Sequence, residues 1–197
     1  MFELGSILVM SDPFSSITPF PMLEMDYFGL TENQLNRLPP KQRLAEMIKI
    51  LKHSDDESQR WDSICLCGEL YHVLDRGDHD LSNVDSLQMK THIKDLFRWV
   101  LKNEKNGVVL HEVCYHIAAR NIRELIPDLV TCSVYSDSIL GRHEAIESLG
   151  LMNAQEVMDE IRKALDDPIR DVRETAEFVL KRLRRYKNET YEGLQII

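Results

Sequence analysis

The sequence predicts an all-α fold of stacked helical hairpins, and three observations support this prediction. A His-Glu pair occurs at positions 111–112 and again at 143–144, so the two copies lie 32 residues apart. The match continues downstream, where Asn121 aligns with Asn153. Repeats of about 30–45 residues are typical of helical arrays in which each repeat buries its apolar face against its neighbours. Strand signals, such as sustained alternation of apolar and polar residues, are scarce.

Residues 1–30 are predicted to form an irregular N-terminal arm. Pro13, Pro19 and Pro21 interrupt any helix, yet aromatic residues such as Phe14 make the segment too apolar for a solvated tail. We therefore expect the arm to pack on the body of the protein or on a partner subunit. Residues 31–186 are predicted to form the HEAT-like helical repeat domain, a superhelix of hairpins, and residues 187–197 a C-terminal tail.

Helical signals continue almost without interruption from Thr31 onward. Thr31 is a predicted N-cap, and Pro40 suits the first turn of the next helix, which is predicted to end near His53. The later helices are predicted at residues 57–74, 84–102, 108–119, 122–134, 139–150, 154–166 and 168–186.

The last predicted repeat is the clearest in the sequence. The Asp-Pro turn at 167–168, followed by Val172 and Arg173, is typical of HEAT-type repeats. The pair Arg173-Glu174 stands there in place of His-Glu, as expected if the terminal repeat acts as a cap.

The composition predicts a soluble cytoplasmic protein. Hydrophobic residues make up 43% and charged residues 29% of the sequence, which is ordinary for a folded domain. No apolar run approaches the ~20 residues of a membrane-spanning helix, and no basic segment of a secretory signal is found at the start. The net charge of −9 argues against a nucleic-acid partner. Four cysteines lie in apolar helical patterns and are expected to be free thiols: Cys65, Cys67, Cys114 and Cys132.

The two His-Glu pairs are candidates for a metal site. Equivalent positions of stacked repeats line one surface, so His111 and His143 are expected to face the same way and to converge on one metal. Adjacent residues on a helix point about 100° apart. Glu112 and Glu144 are therefore expected to point sideways, toward a second metal, a substrate or another subunit. Imidazole and carboxylate together suit non-haem iron, manganese or zinc.

Chance is the alternative explanation for either pair, because histidines on helix faces are commonly hydrogen-bonded or solvated. The remaining histidines are interpreted as structural or solvent-facing: His53, His72, His79, His92 and His116.

The stretch from about Ser58 to Leu183 resembles one half of deoxyhypusine hydroxylase, a family of HEAT-repeat di-iron oxygenases. The family motifs His-Glu-x-x-Tyr and His-Glu-Ala-x-x-x-Leu-Gly match residues 111–115 and 143–150 in order and spacing. The residues 58–60 are similar to the opening of the family's first repeat, and 167–183 to its closing one.

The resemblance implies a role for each residue of the two pairs. In the family, each iron takes two histidines from one half of the chain and a glutamate from the other half. The second glutamate of each half lies beside the substrate amine. His111, His143 and Glu112 are thereby expected to be iron ligands, and Glu144 is expected to be the catalytic, substrate-facing carboxylate. Whether Glu144 also binds metal stays open.

The number of motifs implies that the site is shared between subunits. The family carries four His-Glu motifs and this sequence carries two, so a C2 homodimer would restore the complete arrangement. The expected function is a homodimeric di-iron oxygenase, with two irons per dimer and O₂, that hydroxylates an unactivated C–H bond. Its substrate is expected to be an amine-bearing or amino-acid-like small molecule or peptide, and the electron donor is left open. The alternatives are a metal-free HEAT-repeat adaptor that binds a protein, and a lyase or chaperone for chromophore attachment.

Overall fold

A computed structural model describes residues 30–77 and 79–186. The C-terminal tail and all but the last residue of the predicted N-terminal arm lie outside these described residues. The described residues form nine α-helices and no strand, which confirms the all-α prediction. The helices are α1 (Glu32–Asn36), α2 (Pro40–His53), α3 (Glu57–Arg76), α4 (Asn83–Asn103), α5 (Gly107–Ala119), α6 (Ile126–Tyr135), α7 (Ile139–Leu151), α8 (Met158–Lys163) and α9 (Arg170–Arg185).

The helices after α1 pair into four hairpins that stack side by side. The pairs are α2 with α3, α4 with α5, α6 with α7, and α8 with α9. The second helices of the hairpins, α3, α5, α7 and α9, contact one another in that order and form one layer. The first helices, α2, α4, α6 and α8, form the other layer. This is the architecture of a helical repeat protein, and it places α5 and α7 next to each other in one layer.

The 32-residue repeat is visible in the backbone at both ends of α5 and α7. Asn121 and Asn153 both adopt a left-handed conformation, with φ of 46° and 50°. Asparagine tolerates this region better than most residues other than glycine. At the other end, Asn106 caps α5 through its side chain and Ser138 caps α7. Each cap accepts backbone N–H groups that otherwise lack partners at a helix start. The predicted alignment of Asn121 with Asn153 is thus confirmed.

Helices α5 and α7 each bury one apolar side, and this burial determines where their polar residues lie. Val113 and Ile117 of α5 and Ile146 and Leu149 of α7 have no exposed surface. Burying each such side chain contributes about 1.5–3 kcal/mol. The buried positions orient both helices, so the His-Glu pairs lie on corresponding parts of neighbouring helices.

Three arginines make equivalent hydrogen bonds and set the register of the repeats. Nη1 of Arg60, Arg142 and Arg173 donates to the carbonyl oxygen six residues earlier, at 2.8, 2.7 and 2.6 Å. Arg60 and Arg142 also bind a carboxylate with Nε and Nη2, on Glu104 and Asp167.

This register corrects the predicted equivalence of the last repeat. Because Arg173 is equivalent to Arg142, Glu174 occupies the position of His143 and Thr175 that of Glu144. The sequence comparison was therefore wrong by one residue there. The same register places Trp61 at the histidine position of the first hairpin.

The helix boundaries agree with the prediction to within two residues, except after the two left-handed turns. Thr31 caps α1 in a capping box, and Pro40 is the first residue of α2, as predicted. The segments predicted as continuous helices at 122–134 and 154–166 instead begin with short 3₁₀ turns. The second also ends in one. Among the described residues, no helix has the length and apolar character needed to cross a membrane.

Candidate functional site

Four side chains on α5 and α7 gather into one cluster, the α5–α7 cluster, made of His111, His143, Glu144 and Glu147. Nε2 of His111 lies 3.2 Å from a carboxylate oxygen of Glu144. On α7, His143, Glu144 and Glu147 bring one donor atom each within 4.8 Å of one another. The two predicted histidines therefore share Glu144 as a neighbour.

The exposure of these side chains differs sharply. The side chains of His111 and His143 are 40% and 34% exposed, whereas that of Glu144 is 7% exposed. The imidazoles are therefore accessible from outside the chain, and the carboxyl group of Glu144 lies beneath them.

Thr175 of α9 orients the ring of His143. Its hydroxyl lies 2.7 Å from Nδ1 of His143, and the same hydroxyl donates to the carbonyl oxygen of Asp171. Since the hydroxyl proton goes to Asp171, the Thr175 oxygen accepts a hydrogen bond from Nδ1 when Nδ1 carries the ring proton. Nε2, on the other side of the ring, lies 3.4 Å from a carboxylate oxygen of Glu147. Metal-bound histidines are commonly oriented in this way through their second nitrogen.

Burial is the main cause that raises the pKa of Glu144 to about 7. The charge of Glu147 contributes to this rise in pKa, and nearby His143 opposes it. A carboxyl group with such a pKa ionises near neutral pH. This behaviour is expected of a group that binds a cation.

As the pH rises, the free energy of unfolding of the metal-free protein is expected to fall more than that of the Glu144→Gln variant. The native pKa of Glu144 is about 7 and its ordinary value is 4.5, so the native state holds a proton that the unfolded chain has released in this range. The free energy of unfolding should therefore fall with rising pH through this window, and the glutamine variant lacks this contribution. Melting temperatures of both proteins between about pH 5 and about pH 7.5 measure the effect. Parallel curves for the two proteins would contradict it.

A second group, the α3–α5 cluster, consists of Cys65, Glu112 and His116. Oε1 of Glu112 accepts from the thiol of Cys65 at 3.3 Å and lies 3.1 Å from Nε2 of His116. The adjacent His116 imidazole holds the pKa of Glu112 below its usual value, although burial opposes this effect. Burial, with the charge of Glu112, raises the pKa of the Cys65 thiol. Glu112 is thus directed toward α3, as Glu144 is directed toward α5.

A glycine makes room for the ring of His116. Gly68 lies in the middle of α3, and a Cβ atom there would be 2.0 Å from Nδ1 of His116. The carbonyl oxygen of Gly68 accepts a hydrogen bond from Arg120 at 3.2 Å. The close approach of α5 to α3 at this point therefore requires glycine.

Gly68→Ala is expected to lower the free energy of unfolding by about 1–3 kcal/mol, as overpacking of a closed site does. The effect should appear although alanine favours helix more than glycine. Chemical denaturation of Gly68→Ala, His116→Ala and the double variant measures it. The double variant should lose less stability than the sum of the single variants, because the clash needs both side chains. A Gly68→Ala protein as stable as the original would contradict the steric explanation.

The structure adds residues that the sequence analysis did not select. His116, predicted to be structural or solvent-facing, is buried beside Glu112, and Glu147 lies beside His143. Both pairs are four residues apart on a helix, a spacing at which side chains meet, so the sequence contained the signal. Cys65 and Thr175 come from other helices, and the sequence held no comparable signal for them. Of the predicted site residues, His111, His143 and Glu144 share one cluster and Glu112 belongs to the other.

The fold and the clusters together define an all-α repeat protein with histidines and carboxylates gathered on neighbouring helices. The chain is similar to deoxyhypusine hydroxylase of Gallus gallus, with 32% identity over 83 residues. The matched region is 41% of this chain and 27% of that hydroxylase, so the match spans about a quarter of the relative's length. No protein-family model matches the chain. The predicted resemblance to part of deoxyhypusine hydroxylase is confirmed.

Proposed function

We propose that the chain is a homodimeric di-iron oxygenase that hydroxylates an unactivated C–H bond in a substrate with a cationic amine. The observation that carries the proposal is the α5–α7 cluster, in which Glu144 lies among two accessible histidines. Similarity to a hydroxylase supports the reaction class. Each iron is held by His111 and His143 of one subunit and by Glu112 of the other.

The donor set suits iron. Two imidazoles and one carboxylate form the ligand set of many non-haem iron oxygenases and leave positions for further ligands. The contact from Thr175 fixes the ring of His143 and leaves Nε2 for the metal. When bound, iron and O₂ supply the oxidising power that the C–H bond requires, with electrons from an external donor.

Exposed apolar side chains beside the histidines support a subunit interface. Val108 and Leu140 lie three residues before His111 and His143, so they lie on the same faces of α5 and α7. They are 55% and 39% exposed. Trp61, at the equivalent of the histidine position in the first hairpin, is 38% exposed. An exposed apolar strip of this kind is typical of a protein–protein interface. A second copy packed here brings its own α5 close to these histidines.

Glu144 is the group proposed to hold the substrate. Its carboxyl group is buried below the histidines and has a pKa of about 7. An ammonium group placed beside it stabilises the ionised carboxylate, because an opposite charge lowers a carboxyl pKa. The resulting charge-assisted hydrogen bond orients the amine and places the neighbouring carbon near the metal.

The two glutamates are expected to respond differently to substitution. Glu112→Gln should lower iron content, because it removes a ligand. Glu144→Gln should keep the iron and weaken binding of cadaverine, a diamine probe, because the variant retains the shape and lacks the charge. Elemental analysis and calorimetric titration of the purified iron-loaded proteins measure the two effects.

Equal iron loss in both variants would show that Glu144 is a metal ligand instead. Full iron content in Glu112→Gln would end the proposed sharing of ligands. If the purified protein binds no iron at all, the result would favour the alternative function, a metal-free adaptor that binds a protein.

A further inference from the structure

The imidazole of His116 is a buried polar group that lies beside the carboxylate of Glu112. Its side chain is 7% exposed, and within residues 30–77 and 79–186 neither ring nitrogen finds an aligned hydrogen-bond partner. Nε2 is nevertheless only 3.1 Å from Oε1 of Glu112. At that distance a hydrogen bond fails when the oxygen lies away from the N–H direction or when Nε2 carries no proton. Nε2 of His116 and Oε1 of Glu112 are thus close together without an aligned hydrogen bond between them. Two metal-ligand atoms that are directed at one ion have this arrangement.

Cys65 brings a third donor atom to this point. Its Sγ lies 3.3 Å from Oε1 of Glu112, and the donor atoms of Cys65, Glu112 and His116 all lie within 4.8 Å of one another. For a tetrahedral zinc ion, the usual bond lengths place neighbouring oxygen, nitrogen and sulfur ligands roughly 3.3–3.5 Å apart. The separations of Oε1 from Sγ and from Nε2 are close to those values, and Sγ and the imidazole lie within 4.8 Å of each other, so side-chain movement alone brings the three atoms to one ion.

We propose that Cys65, Glu112 and His116 form a zinc-binding site within each subunit. Sulfur, nitrogen and carboxylate oxygen are the three kinds of ligand that zinc takes in proteins, and the fourth position is left to water. Glu112 and His116 lie four residues apart and so share one face of α5. Gly68 lets the His116 ring lie against α3, which carries Cys65. On binding, the thiol proton passes to solvent and the thiolate binds the ion.

The zinc site goes beyond the proposed iron centre and differs from it in composition. It contains a sulfur ligand and His116, whereas the iron centre uses His111 and His143. Glu112 is common to both sites. Its Oε1 contacts Cys65 and His116, and the proposed iron centre would use the second oxygen of the carboxylate.

Cobalt(II) is the probe that distinguishes the two sites. Protein stripped of metal by a chelator should bind Co²⁺ with a near-ultraviolet sulfur-to-cobalt charge-transfer band, because a thiolate is a ligand. The histidine and carboxylate ligands of the iron centre contain no sulfur and cannot produce this band. The band should saturate at one cobalt per subunit and disappear when Zn²⁺ is added. A spectrum of the original protein without the band overturns the proposal, whatever the variants do.

Matched variants locate the sulfur ligand. Cys65→Ala should lose the band, and Cys67→Ala should keep it, because Cys67 is fully buried and contacts Met47 instead. His116→Ala should weaken Co²⁺ binding at least about tenfold, as loss of a metal-orienting group does. A band that persists in Cys65→Ala overturns the assignment.

His143→Ala separates this proposal from the iron centre. It should keep the sulfur-to-cobalt band while it loses iron. Loss of the band in His143→Ala would show that the two sites are one. Retention of the band with normal iron content in His143→Ala would support the zinc site and contradict the proposed function.

Discussion

Replacing His111 or His143 by alanine is expected to remove most of the bound iron. Each imidazole is a direct ligand in the proposed centre, and even groups that only orient a ligand change metal affinity about 10–100-fold. The loss for a direct ligand should therefore reach or exceed this range. Iron per subunit, measured by elemental analysis of tag-free protein, should fall from one to near zero. Both side chains are partly exposed, so the variants should fold.

His53→Ala is the appropriate control for these variants. His53 is exposed at the end of α2, remote in sequence from both pairs. His79 is less suitable, because its ring nitrogen accepts a hydrogen bond from the backbone of Leu81 and its removal affects a turn. Iron content should be unchanged in His53→Ala. Folded His111→Ala and His143→Ala proteins that retain all their iron would refute the iron centre.

The fold could be predicted because local signals agreed with the tertiary packing. The Thr31 cap, the Pro40 start and the repeated asparagines act within a few residues, and each is seen in the structure. The segments after Asn121 and Asn153 were predicted less well. Their hydrophobic periodicity continues through a left-handed turn and a 3₁₀ turn, so periodicity alone places the start of the helix too early.

Only those features of the candidate site that follow from equivalent positions of the repeat could be predicted. Equivalent positions predicted that His111 and His143 would lie on neighbouring helices, and His111 and His143 share Glu144. The direction of each glutamate side chain depends on which polar side chains the neighbouring helix places beside it. Glu144 meets His111 at 3.2 Å, whereas Glu112 meets Cys65, a residue 47 positions earlier. Such a contact is set by the packing of α3 on α5, and the sequence spacing gives no signal for it.

In the last repeat, a shift of one residue in the alignment changes which residue is equivalent to Glu144. The sequence alone aligned Arg173-Glu174 with the His-Glu pairs, since charged residues stand in both places. The hydrogen bond from Arg173 to the carbonyl of Asp167 shows that Arg173 is equivalent to Arg142 instead. Thr175 then falls at the position of Glu144, and its hydroxyl contacts His143. A position that carries a carboxylate in the previous repeat thus serves in this repeat to orient a histidine.

Mixed dimers are expected to recover iron binding that neither parent variant has. Subunits with His143→Ala lack a histidine ligand, and subunits with Glu112→Ala lack the ligand that they offer to their partner. In a mixed dimer, one centre has His111 and His143 from the Glu112→Ala chain and Glu112 from the His143→Ala chain, so it is complete. The other centre lacks both a histidine and a glutamate.

The expected result is one iron per mixed dimer, with no recovery of oxygenation, because a di-iron reaction needs both metals. Co-expression of the two chains with different affinity tags, both free of histidine, isolates the mixed dimer, and elemental analysis gives its iron content. The equivalent dimers of each single variant are the controls and should stay low in iron. If each chain held a complete centre, the His143→Ala and Glu112→Ala chains could not repair each other. A mixed dimer without iron, or a monomer that binds two irons, would therefore end the model of a site shared across a twofold axis.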